Sequence, residues 1–185
     1  MAHPLRGDTS RGDTYHVISD CNRKAKELRN KKTKNLFLQV LYEAKTEKGY
    51  RFEIHTFSIM DTHFHLEITP EKGQSLSTIM KWVKQVFAHR WNKEHHTTGH
   101  FWGDRFWSRK ITTDVDFVAV FDYINNNAVK AGLVKKPEDW EWGGLYHLVH
   151  RITGIVTPVT EEFWKRFTGF LGSDPWYNPL KRPQF

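Results

Sequence analysis

The chain has 185 residues, enough for one domain with its own core, and its 28 basic against 21 acidic residues leave it at +7 with histidine neutral. Its single cysteine, Cys21, excludes an intramolecular disulfide and a multi-cysteine zinc site, and no apolar run approaches the roughly 20 residues that a membrane span needs. Thirteen Phe, eight Trp and six Tyr exclude a disordered basic tail, so the expectation is a soluble, cytoplasmic, basic globular protein whose partner is a polyanion, nucleic acid first.

Residues 1–13 lack an apolar signal core and read as a flexible N-terminus. Tyr15–Ser19 is a short strand. A basic helix is expected from Lys24 to Glu47, with Leu36, Phe37, Val40, Leu41 and Ala44 at helical spacing and Gly49 beyond its end. Arg51–Met60 reads as a strand with Phe52, Ile54, Thr56, Ser58 and Met60 on one face. His63–Thr69 follows as its hairpin partner through Asp61–Thr62. Ser75–Asn92 is a long helix that buries Leu76, Ile79, Met80, Val83, Phe87 and Trp91 and turns Lys81, Lys84 and Arg90 to its other face. A loop of Gly and aromatics, Thr97–Trp107, leads into a fourth strand, Trp107–Thr113. The next helix, Val115–Ala131, is capped by Thr113 or Asp114 and ended by Gly132. The order β-α-β-β-α-β-α predicts an α+β fold, the ferredoxin-like split βαβ with a four-stranded antiparallel sheet and an appended helix. No repeat or linker divides the chain. Residues 14–150 form the expected domain, and 151–185, with one helix near Glu161–Leu171, a C-terminal extension packed on it.

Three features bear on chemistry. His63 and His65 lie two apart on a strand, so their imidazoles share a face and can converge on one metal ion, while Phe64 points to the other layer. Two half-exposed strand histidines would read the same way. Tyr123 and Asn127 lie four apart on a helix and so on one face. A tyrosine hydroxyl can attack phosphorus and an amide oxygen can complete a metal site, although a core tyrosine and a polar helix-end residue fit that spacing too. The third feature is the basic run Arg23, Lys24, Lys26, Arg29, Lys31, Lys32 and Lys34, either a solvated face or a phosphate path. Beside it, Gly99–Trp107 interleaves Trp102 and Trp107 with Arg105, suited either to stacking unpaired bases or to covering the core.

Taken in order, Asp13-Thr-Tyr-His-Val-Ile-Ser19, Met60-Asp-Thr-His-Phe-His-Leu66, Gly99-His-Phe-Trp-Gly-Asp-Arg-Phe106, Tyr123-Ile-Asn-Asn-Asn-Ala-Val-Lys-Ala-Gly-Leu-Val134 and Trp142-Gly-Gly-Leu-Tyr146 resemble the single-tyrosine HUH transposase family (IS200/IS605-like), most of all its REP-associated tyrosine transposases. The resemblance covers residues 13–150. It implies a metal-dependent endonuclease and strand transferase acting on single-stranded DNA with a hairpin, through a 5′-phosphotyrosine intermediate. Tyr123 would be the nucleophile, and His63, His65 and Asn127 would be ligands of Mg²⁺ or Mn²⁺, in a monomer or homodimer. Arg23, Lys24, Arg29, Lys31, Lys32, Lys84, Arg90, Trp102, Arg105 and Trp107 are the candidate DNA contacts. Asp61 adds a negative charge near the metal that bears on metal preference. Ala128 stands where the family carries Pro, which should let the helix run on smoothly past Asn127. The alternative is a catalytically inactive DNA-binding protein of the same fold. A His-x-His metallohydrolase fits less well, because a barrel needs about 250 residues and a cupin an all-β pattern.

Overall fold

The computed structural model describes residues 12–157. The expected Glu161–Leu171 helix, most of the 151–185 extension and residues 1–11 lie outside the described residues. The elements are β1 (Thr14–Asp20), α1 (Lys31–Thr46), β2 (Phe52–Ile59), β3 (His63–Pro70), α2 (Leu76–Glu94), β4 (Trp107–Ile111), α3 (Asp114–Asn125), α4 (Asn127–Lys130) and α5 (Gly144–Val149). The strands form one sheet in the order β2-β3-β1-β4, with every neighbouring pair antiparallel. This is the split βαβ arrangement, and it makes β1 and β3 the central strands. Among the described residues no helix is long and apolar enough to cross a membrane.

The first helix starts later than its charge run suggests. Arg23 and Lys24 each have φ near 52°, a left-handed conformation that no helix can propagate. Asn30 instead caps α1, its side chain accepting from Lys32 N at 2.8 Å. The basic run is therefore split between a short turn, a loop and the first turn of α1.

β2 and β3 join through the two-residue turn Asp61–Thr62, closed by Met60 N donating to His63 O at 2.8 Å. β2 does not present one alternating face. A bulge between Ile54 and Thr56 leaves His55 as an extra residue, with Ile54 opposite Ile68 but Thr56 opposite Glu67. Phe52, Ile54, Phe57 and Ile59 consequently reach the same core layer, and Thr56 and Ser58 turn to the face that carries the histidines.

That core layer lies under α1 and α2. Phe37 packs on Phe64 with ring centroids 4.6 Å apart and on Phe87 at 5.5 Å. Trp102, at 7% exposure, fills the space beside them, its indole nitrogen donating to Lys84 O at 3.0 Å. α3 covers the opposite face of the sheet, with Ile111, Phe117, Val120, Phe121 and Ile124 as a smaller apolar cluster. The expected single helix Val115–Ala131 is divided at Asn126, and α4 resumes at Asn127. Asn126 Nδ2 donates back to Asp122 O at 3.0 Å and to Asp122 Oδ1 at 3.1 Å, a local bond that competes with helical propagation. α5 then lies directly on β2. At Gly144 a Cβ would sit 2.7 Å from Phe57 N, so no larger residue fits there. Past α5, Ile155 and Val156 are buried, and Thr157 N donates to Ile54 O at 2.9 Å, tying this segment to the sheet.

Candidate active site

The strand alternation of β3 sends Phe64, Leu66 and Ile68 into the core and His63, His65 and Glu67 to the α3 side. The rings of His63 and His65 lie 4.9 Å apart at 85°. Each uses Nδ1 for a protein partner: His63 Nδ1 lies 2.8 Å from Thr62 Oγ1, and His65 Nδ1 lies 3.0 Å from His16 Nε2. His65 Nε2 is left buried with no hydrogen-bond partner among the described residues. Burial holds the His65 imidazole down to about 3 and that of His16 to about 4, and it lowers His63 as well. All three are therefore neutral at pH 7, the state in which a ring nitrogen can act as a ligand.

Tyr123 comes to this face from α3. Its ring is 5.6 Å from that of His65 and 5.9 Å from that of His16, and at 42% exposure it can be reached from solvent. Lys130 Nζ lies 5.0 Å from the centre of the Tyr123 ring. Asn127 opens α4 on the far side of the break, with Nδ2 buried and unpartnered. Among the described residues no three His, Cys, Asp or Glu side chains form a metal cluster. The donor set that suits a divalent ion is two imidazoles and an amide, and the orphaned His65 Nε2 is the observation that fits it.

Two acids behave differently from each other. Glu67, two residues beyond His65, is fully buried with both oxygens unpartnered, and burial first, then Asp116, pushes its carboxyl well above the usual range. Burial thus disfavours its charged form on this face. Asp61 is turned the other way: its Oδ1 accepts from Lys34 Nζ at 2.8 Å. The carboxylate expected to bear on the metal is thus paired with a buried lysine of α1.

The proposed DNA contacts separate into three groups. Arg23, Lys24, Arg29, Lys31 and Arg105 are exposed, with Lys31 Nζ 5.5 Å from the Trp142 ring. Lys32 and Arg90 are engaged in ion pairs with Glu94 and Glu43, and the nearly buried Lys84 donates to Asp104 O at 2.7 Å. Trp102 is a core residue, packed against Phe37, Phe64 and Phe87, which corrects its reading as a stacking platform. Trp107 is half-buried on β4, its ring 5.8 Å from that of His16. Between α2 and the 99–106 loop a cavity of about 680 Å³ is lined by Lys81, Gln85, His100 and Arg105 among others.

His16 and Lys130 escaped the sequence reading. The signal for His16 was the topology itself: the split βαβ order sets β1 beside β3, and the residue between Tyr15 and Val17 then falls on the histidine face. Lys130, seven residues after Tyr123, shares its side of the helical segment at two-turn spacing.

A family model described as "Transposase IS200 like" matches residues 10–127. The chain is 30% identical over 129 residues to a REP-associated tyrosine transposase of Escherichia coli (strain K12), covering 67% of this chain and 75% of the relative. Its fold is similar to that of a solved REP-associated tyrosine transposase bound to a REP hairpin, with a TM-score of 0.69 and 24% identity over 85% of this chain and 89% of the other.

Proposed function

The chain belongs to the IS200-like transposase family, and from that premise we propose that it cleaves and rejoins single-stranded DNA beside a hairpin, with Tyr123 as nucleophile. The observation that carries this reading is the convergence of His63, His65 and the accessible Tyr123 on one sheet face, with His65 Nε2 bare. His63, His65 and Asn127 would hold Mg²⁺ or Mn²⁺, which supplies charge neutralisation at the scissile phosphate. Tyr123 Oη attacks phosphorus and loses its proton, and the bond from phosphorus to the 3′ oxygen breaks. The products are a 5′-phosphotyrosine and a free 3′-hydroxyl. Attack by another 3′-hydroxyl reverses the step and rejoins strands without external energy, because the covalent bond conserves the phosphodiester. Lys130 Nζ, 5.0 Å from the centre of the Tyr123 ring, makes a cation–π contact that helps to hold the ring.

The relative solved with a REP hairpin supports hairpin DNA as the partner. Lys31 and Lys32 begin α1, where no acid occupies the first turn and the helix dipole disfavours cations. Basic residues held against that preference suit a phosphate contact. The exposed Arg29 and Lys31, with Arg105 at the cavity mouth and Trp107 beside His16, give the proposed path for the strand.

The test is a labelled, hairpin-bearing single strand incubated with the protein and Mn²⁺ and run on a denaturing gel. A covalent protein–DNA adduct is expected, and Tyr123→Phe should abolish it while leaving DNA binding intact. Binding without an adduct in the wild-type protein would make this a DNA-binding protein without catalysis. An adduct that survives in Tyr123→Phe would move the nucleophile to another tyrosine.

A further inference from the structure

His16 belongs to neither the proposed ligand set nor the nucleophile, yet it bonds to His65 and its ring meets that of Tyr123. It sits on β1 between Glu67 of β3 and Arg109 of β4 in the strand register, and is only 6% exposed. Its ring lies nearly coplanar with that of His65, edge to edge at 5.3 Å and 21°, and meets Tyr123 and Trp107 edge-on at 5.9 and 5.8 Å. The hydrogen bond between His16 Nε2 and His65 Nδ1 can be arranged in two ways. If His16 is the donor, the remaining proton of neutral His65 must sit on Nε2, a buried N–H with no acceptor among the described residues. If His65 is the donor, its Nε2 is a bare lone pair. The first arrangement strands a buried donor and closes the nitrogen to a cation; the second does neither.

We propose that His16 is a positioning residue whose Nε2 accepts the Nδ1–H of His65, fixing the tautomer and ring orientation in which His65 Nε2 can ligate a divalent cation. The role rests on the metal-dependent reading given above. Second partners of metal-bound histidines act in this way, and their loss typically weakens metal binding about 10–100-fold. His63 has a different partner, the Thr62 hydroxyl, which can serve as donor or acceptor and so imposes no tautomer. The constraint is therefore specific to His65.

The experiment uses the full chain as wild type, His16→Gln and His16→Phe. Nitrogen-15 NMR of the metal-free proteins reads the His65 tautomer directly, and Mn²⁺ titration followed by electron paramagnetic resonance reads affinity without catalysis. The wild type should show His65 protonated at Nδ1. His16→Phe, which has no acceptor, should lose about 10–100-fold in Mn²⁺ affinity; His16→Gln, whose amide oxygen can take the same hydrogen, should recover most of it. Should His16→Phe not fold, the tautomer in the wild type and the affinity of His16→Gln decide. An Nε2–H tautomer in the wild type, wild-type affinity in His16→Phe, or equal losses in both variants would overturn the assignment to His16 alone. A wild-type protein that binds no Mn²⁺ would instead overturn the metal-dependent reading, and the role of His16 with it.

Discussion

Replacing Asp61 by Asn changes one atom's charge and almost no volume, yet the structure makes it costly. The side chain of Lys34 is 2% exposed, and its ammonium is held by Asp61 Oδ1 at 2.8 Å, by Arg29 O at 3.2 Å, and near the Trp140 and Trp142 rings at 5.4 and 5.3 Å. Removing one partner of a fully buried pair costs about 3–5 kcal/mol, because the other charge stays desolvated. Asp61 is 23% exposed, and the carbonyl and both indoles remain with Lys34, which lowers the expectation to about 1.5–3 kcal/mol. For a chain of this length that corresponds to a drop in Tm of about 3–12 °C. Lys34→Met should cost less, about 1 kcal/mol, since the carboxylate it leaves behind can still reach water. The double variant should resemble Lys34→Met, so the two losses should not add. Urea unfolding of the four proteins measures all these differences. If Asp61→Asn fell within 0.5 kcal/mol of wild type, or Lys34→Met were the worse variant, the idea of a buried ammonium held by this carboxylate would fail.

Ala at His63 or His65 should abolish the DNA adduct, whereas Asn127→Ala should be milder because water can replace an oxygen ligand on Mg²⁺; equal loss in all three would mean that Asn127 positions Tyr123 as well. Burial lowers His55 and His147 to about 4, so the native state refuses protons that the unfolded chain accepts near 6.5. Stability should be full above pH 6.5 and decline toward pH 4, by at most about 1.4 kcal/mol per pH unit for each histidine. Denaturation curves at pH 7 and pH 5 should show this slope, and a His55→Phe variant should flatten it. Trp102→Ala should cost about 3–5 kcal/mol as a core truncation. Arg29→Gln with Lys31→Gln should instead leave melting unchanged, weaken DNA binding for any sequence, and reduce the salt slope by about 0.7 per lost phosphate contact.

The sheet order and the histidine face were legible because both follow from periodicity: β-α-β-β-α-β admits few arrangements, and His63 and His65 lie two apart. The start of α1 was not, because a run of like charges has no period, and the left-handed Arg23 and Lys24 have no sequence mark. At Asn126 a side-chain bond back to Asp122 O outweighed the helix propensity of Ala128. Trp102 was ambiguous, since an aromatic beside glycines suits a stacking loop and a core plug equally. His16 needed two strands aligned in register before its neighbour could be named.

The bulge in β2 leaves the strand with one residue to spare. If the chain lacked either His55 or Thr56, Phe52, Ile54, Phe57 and Ile59 would fall at strict two-residue intervals, and Ser58 would still stand opposite His65. A loss after Phe57 would instead turn Ile59 toward the histidines and carry Ser58 out of register. The strand can therefore absorb the loss of one residue between Ile54 and Phe57 while the register opposite His65 is kept.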